Sequence, residues 1–188
     1  MKLVIALGNP GKGYEMTPHN IGWVILDAFL NKHSTEVLWE KHHKVKAFVT
    51  KVAIKDAQYL FVKPQTYMNK SGEAVRDLLS FYKLSVDQVI VIHDEVDLKL
   101  GEIKIATDSG AAGHNGVQNI IDILKTKNFT RLRVGVKTPK KDKIPTEKFV
   151  LQRFSFLEQR KIKKVMPKYL EVLDCLIESD NPKTCSQR

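Results

Sequence analysis

Val89-Ile90-Val91-Ile92 is apolar at four successive positions, so an extended chain there is apolar on both faces. A sheet with one face in water shows alternation instead, and a continuous run of this kind suits a central strand covered on both sides. Leu3-Val4-Ile5-Ala6-Leu7 has the same character. Helix-spaced apolar residues lie between and beyond these runs. The expected fold is therefore α/β: one domain over residues 1–188, with a twisted mixed, mostly parallel sheet flanked by helices on both sides. A chain of 188 residues is long enough for one sizeable core.

The other elements follow from local pattern. Strand one is expected at 2–7, and a helix at 20–32 carries Ile21, Val24, Ile25, Ala28 and Phe29 on one face. Residues 34–43 read as a polar connection. Two strands, 44–54 and 59–63, are parted by a turn at Lys55-Asp56-Ala57. Ser71 reads as the N-cap of a second helix. Strands at 101–106 and 131–136 flank the Gly-rich loop 108–116 and a third helix, and 138–145 is a basic surface loop. Ser155 and Glu158 form a capping-box pattern opening a long helix that Pro167 should kink or split. The polar tail, 179–188, is expected to be flexible.

Four separated positions after strands present short polar side chains: Asn9 and His19, then Tyr67-Met68-Asn69, then His93-Asp94, then His114-Asn115. Parallel strands would bring all four to one sheet edge, where open α/β sheets bind ligands. An imidazole, a carboxylate and several amides form a kit for hydrolysis by activated water. The imidazole takes a proton, the carboxylate orients it, and amide N–H groups stabilise an oxyanion at about 3 kcal/mol each. Each group also has a bland role. Asp94 can cap a turn, His93 is read as structural, His114 is favoured as a helix-terminal residue, and Met68 as packing. His33, His42 and His43 read as solvated.

GNPGKG matches neither a dinucleotide fingerprint nor a P-loop, and no Ser or Cys has a nucleophile-elbow setting. His19, His93, Asp94, Asp97 and His114 lack metal-motif spacing, so no metal and no cofactor are expected. The formal charge of +10 favours an anionic partner. Lys104, Arg131, Arg133, Lys137, Lys140, Lys141 and Lys143 suggest a basic rim for a phosphate backbone. No apolar run approaches the roughly 20 residues that span a bilayer, and the amino terminus does not read as a signal peptide. Reduced thiols are expected for Cys175 and Cys185, with a cytoplasmic location.

Taken together, LVIALGNPGKGYEMTPHNIG, KPQTYMNKSG, VIVIHDEVDL, AGHNG and LRVGV resemble, in order, the blocks of bacterial-type peptidyl-tRNA hydrolase over residues 2–155. The resemblance implies a metal-free esterase that releases peptide from peptidyl-tRNA and recycles the tRNA, binding its acceptor stem and 3′ end, and working as a monomer. It implies His19 as catalytic base and Asp94 as the acid orienting it. Asn9 would sense the blocked aminoacyl group. Tyr14, Tyr67, Asn69 and Asn115 would line the site with Met68 as an apolar wall, and Lys104 and Arg133 would face tRNA phosphate.

The chain departs from the family pattern at Pro18, where Arg is usual, and in ATDSGAA before GHNG. Ala106 and Asp108 weaken the expected phosphate contact, and Ala112 narrows the backbone freedom of that loop. A second possibility is a tRNA-binding protein without turnover. The intact set of Asn9, His19, Asp94 and Asn115 favours the esterase.

Overall fold

In the computed structural model, which describes residues 1–187, β1 (Lys2–Ala6) lies parallel between β4 (Ala57–Pro64) and β5 (Val89–Lys99). Both continuous apolar runs are thus central, as their two-faced character requires. β7 (Thr130–Lys137) pairs parallel with β5. At one edge β6 (Ile103–Ala106) pairs antiparallel with β7. At the other, β3 (Ala47–Ile54) forms the expected hairpin with β4, and β2 (Glu40–His42) adds a short strand. The order is β2-β3-β4-β1-β5-β7-β6. The sheet has a parallel core and antiparallel margins.

Alternation along the strands divides the core into two layers. Val4, Ala6, Ile90, Ile92, Leu132 and Val134 pack with α1 (Ile21–His33) and α5 (Phe156–Glu178). Leu3, Ile5, Leu7, Val89 and Val91 pack on the opposite side with α2 (Ser71–Tyr82) and α3 (Asn115–Leu124). Two helices therefore cover each face.

Several local expectations change. β5 does not end at Ile92 but runs to Lys99, because β7 continues to pair with it through Glu95↔Gly135. His93 and Asp94 consequently sit in the strand and not in a loop. Ser71 does not cap α2. It is the first helical residue, and its hydroxyl donates to Met68 O at 2.8 Å. The Ser155–Glu158 capping box is present, and α5 continues unbroken through Pro167. A four-residue helix, α4 (Thr146–Phe149), follows the basic loop. His33 is no solvated side chain; its Nε2 lies 2.7 Å from Asp174 Oδ1.

The tail also differs. A 3-10 segment, Pro182–Gln187, folds back so that Cys185 is buried and bonded to Cys175, with Cα atoms 5.7 Å apart, inside the disulfide range. This corrects the expectation of reduced thiols. Arg188, the last residue of that tail, lies outside the described residues. The ten-residue separation carries no sequence signal for the fold-back that brings the two sulfurs together.

Candidate active site

The carboxyl ends of β1 and β4 and the middle of β5 open on one cleft of about 750 Å³. Asn9 and His19 enter it from the loop after β1, Tyr67, Met68 and Asn69 from the segment after β4, Asp94 from β5, and Asn115 from the start of α3. Tyr14 lines it as well. Two glycines permit this convergence. A Cβ on Gly22 would meet Ile92 O at 2.8 Å and Leu7 O at 3.0 Å, so α1 can start against the strand ends only without a side chain there. A Cβ on Gly116 would meet Met68 Sδ at 2.5 Å, which holds α3 equally close.

Asp94 is buried at 1% exposure, and one of its oxygens receives two imidazoles. His19 Nδ1 is 2.9 Å from Oδ1, and His114 Nε2 is 2.8 Å from the same atom. The tautomers follow from the partners. Val117 N–H donates to His114 Nδ1 at 3.2 Å, so the proton of His114 resides on Nε2 and points to Asp94. His19 likewise donates Nδ1–H to the carboxylate. Its Nε2 keeps a lone pair, with no hydrogen-bond partner among the described residues, on a ring that lines the cleft. Burial pushes the Asp94 carboxyl up, but His19 and His114 outweigh it and hold the group well below the usual carboxylate range.

Asn9 is oriented with equal definition. Met68 N–H donates to Asn9 Oδ1 at 2.9 Å, so Nδ2 is the amide group left for a ligand. With both groups lining one cleft, a lone pair at His19 Nε2 can deprotonate water and the amide donor can stabilise the oxyanion that forms.

Eight of the ten predicted site residues line this cleft; Lys104 and Arg133 do not. Arg133 is held by Glu95, whose Oε2 accepts from Nε at 2.9 Å and Nη2 at 2.6 Å. Lys104 is its cross-strand neighbour and stays exposed. Arg131, read as part of the basic rim, is instead buried at 1% exposure. Its guanidinium donates to Ser109 O at 2.6 Å and Gly110 O at 3.0 Å, pinning the loop in which Asp108 and Ala112 adopt positive φ.

Sequence reasoning missed Glu95, Val96, Gly113, Val150 and Leu151 as walls of the cleft. It also favoured the bland role for His114, which caps α3 and binds Asp94 at once. The AGHNG block held that signal, since an imidazole opening a helix at the same sheet edge can reach the Asp94 carboxylate that His19 also addresses. His93 is structural, as read. It is fully buried, its Nδ1 donates to Asp94 O at 2.7 Å, and its ring packs edge-on to His114 at 4.7 Å. His19, Asp94 and His114 place their ligand atoms within 4.8 Å of one another, a grouping that the sequence spacing did not reveal.

A family model described as "Peptidyl-tRNA hydrolase" matches residues 3–188. A peptidyl-tRNA hydrolase of Clostridium perfringens is 38% identical over 180 residues, covering 96% of this chain and 93% of the relative. One from Aquifex aeolicus is 41% identical over 178 residues, covering 95% and 91%. The crystal structure of peptidyl-tRNA hydrolase from Acinetobacter baumannii superposes with a TM-score of 0.89 at 27% identity, over 100% of this chain and 93% of that one.

Proposed function

This chain belongs to the peptidyl-tRNA hydrolase family, which hydrolyses the ester between peptide and tRNA and so recycles the tRNA, and we propose that His19 activates the attacking water in the cleft described above. Nδ1–H of His19 is committed to Asp94, so Nε2 is the nitrogen that receives the proton of water. The resulting imidazolium is stabilised by the buried carboxylate, and His114 holds that carboxylate in place. Asn9 Nδ2 donates to the acyl carbonyl that marks a blocked aminoacyl group. Tyr14, Tyr67, Met68, Asn69 and Asn115 receive the peptide and the 3′ end.

The observation that carries this reading is the single Asp94 oxygen shared by two imidazoles, which gives His19 one tautomer. Lys104 is available to phosphate, whereas the charge of Arg133 is already balanced by Glu95. No step needs a metal or a cofactor. No helix among the described residues is long and apolar enough to cross a membrane, and a cytoplasmic site of action fits a tRNA substrate. Incubation with N-blocked aminoacyl-tRNA tests the reading: release of free tRNA is expected. Tight binding without ester cleavage would contradict it.

A further inference from the structure

Asn20 stands at the N-cap position of α1, where an Asn side chain ordinarily accepts from the helix's first N–H groups. Here it makes no cap hydrogen bond. Its amide turns to Asn9 instead and satisfies both main-chain groups of that residue. Asn9 N–H donates to Asn20 Oδ1 at 2.9 Å, and Asn20 Nδ2 donates to Asn9 O at 3.0 Å. Both residues are buried, at 3% and 5% exposure, so neither bond can be replaced by bulk water without opening the site. The orientation of the Asn20 amide is forced, because a backbone N–H needs the oxygen and a backbone carbonyl needs the NH₂.

The clasp closes the loop from residue 9 to residue 20 and joins its two working ends. Asn9 is at one end, and His19 is the immediate neighbour of Asn20 at the other. His19 is fixed separately by its own N–H donating to Val150 O at 3.1 Å. Asn9 has no such second main-chain anchor among the described residues. With its backbone held by Asn20, its Oδ1 reaches Met68 N–H and its Nδ2 is left for the substrate. That donor can pair with the carbonyl of an N-acyl group, but not with a free ammonium, which only donates.

We propose that Asn20 is a positioning residue for substrate selection: through the two-bond clasp on Asn9 it sets the preference for N-blocked over free aminoacyl esters. The inference rests on the esterase reading and on the role of Asn9 within it. Without the clasp, Asn9 loses its register, the NH₂ donor no longer meets the acyl oxygen, and the blocked substrate loses its advantage.

The test is a double-mutant cycle in the full chain. The ratio of kcat/KM for N-acetyl-aminoacyl-tRNA to that for the same unblocked aminoacyl-tRNA is measured for wild type, Asn9→Ala, Asn20→Ala and the double variant. Asn20→Ala should lower the ratio roughly ten- to a hundredfold, the scale on which a displaced positioning contact acts. In the Asn9→Ala background it should lower it no further, and the pH midpoint should stay where it is because His19 and Asp94 are untouched. If Asn20→Ala does not fold, the near-isosteric Asn20→Asp, which keeps the acceptor and loses the donor to Asn9 O, should lower the ratio instead. An unchanged ratio, or losses that simply add, overturns the proposal while leaving the esterase reading intact. A wild type that cleaves neither ester removes that reading and the inference with it. A ratio indifferent to Asn9→Ala removes the role of Asn9, and the inference falls with that role too.

Discussion

His114 Nε2 donates to Asp94 Oδ1 over 2.8 Å, onto the oxygen that also receives His19 Nδ1–H at 2.9 Å. The rings of His19 and His114 lie 5.2 Å apart around that atom. A carboxylate bonded to one imidazole could rotate; one bonded to two, from different elements, presents a fixed acceptor. His114 thereby links the start of α3 to the base.

Replacing His114 with Asn separates its two roles. Asn is a good N-cap and can still accept from Val117 N–H, but it is too short to reach Asp94. Stability should fall by about 1–3 kcal/mol, the cost of the unmade bond to a buried acceptor with the cap retained, while kcat should fall tenfold or more, at roughly 1.4 kcal/mol per decade. Thermal unfolding and single-turnover ester cleavage check the two readouts. Wild-type turnover in a folded His114→Asn protein would reduce His114 to a cap.

Arg133 gives a second test. Truncation to Ala would leave Glu95, 2% exposed, as a buried carboxylate with its cation gone. A loss of roughly 3 kcal/mol in unfolding free energy is expected, because breaking one side of a buried pair strands the other charge. Lys104→Ala on the exposed neighbouring position should leave stability within about 0.5 kcal/mol and reduce the salt dependence of tRNA binding by about one phosphate equivalent. Denaturant melts and a salt series separate these outcomes. A stable Arg133→Ala with a weakened salt slope would restore Arg133 as the phosphate contact.

These two residues show what was legible and what was not. The strand–loop–helix order, the hairpin and the central runs were readable because burial on both faces leaves a compositional trace, as in Val89–Ile92. The convergence of Asn9, His19, Asp94 and Asn115 was readable because parallel strands end on one edge. The extension of β5 to Lys99 was not, since its polar half is held by pairing with β7 and not by apolar pattern. Arg131 and Arg133 looked alike as cations on one strand. Only register shows that one is buried under the Ser109–Gly110 loop and the other is matched to Glu95. The Cys175–Cys185 bond depends on a tail fold-back whose polar sequence reads as solvent-exposed.

Acid should destabilise the fold in two windows. His93 is held well below its ordinary pKa, first by burial and then by His114. It stays neutral when folded and takes a proton when unfolded, so stability falls as pH drops below about 6.5, by up to about 1.4 kcal/mol per unit. Asp94 is depressed in the other class of group. Its stabilisation is complete above the ordinary carboxyl pKa of about 4 and is lost as pH falls from there through the folded value. His93→Asn keeps an N–H donor for Asp94 O and removes the upper window. Urea melts between pH 7 and pH 5 should show a slope in wild type and little in the variant. Equal slopes would assign the upper window to another group.

Activity should survive exhaustive chelation. The two imidazoles address Asp94 Oδ1 at 2.8 and 2.9 Å as hydrogen-bond donors, and the chemistry assigned to them is proton transfer. Rates before and after dialysis against EDTA should agree. Loss of rate, restored by one divalent ion, would place a metal among His19, Asp94 and His114.

The most direct measurement is single-turnover cleavage of N-acetyl-aminoacyl-tRNA by His19→Ala at saturating protein, with substrate affinity and thermal unfolding measured on the same sample. Removing the base should lower the rate about a hundredfold to ten-thousandfold, the usual share of general-base catalysis, while the fold and tRNA affinity stay near wild type. A folded His19→Ala protein that binds the substrate and cleaves it at a rate near wild type would contradict the assignment of His19 as the base.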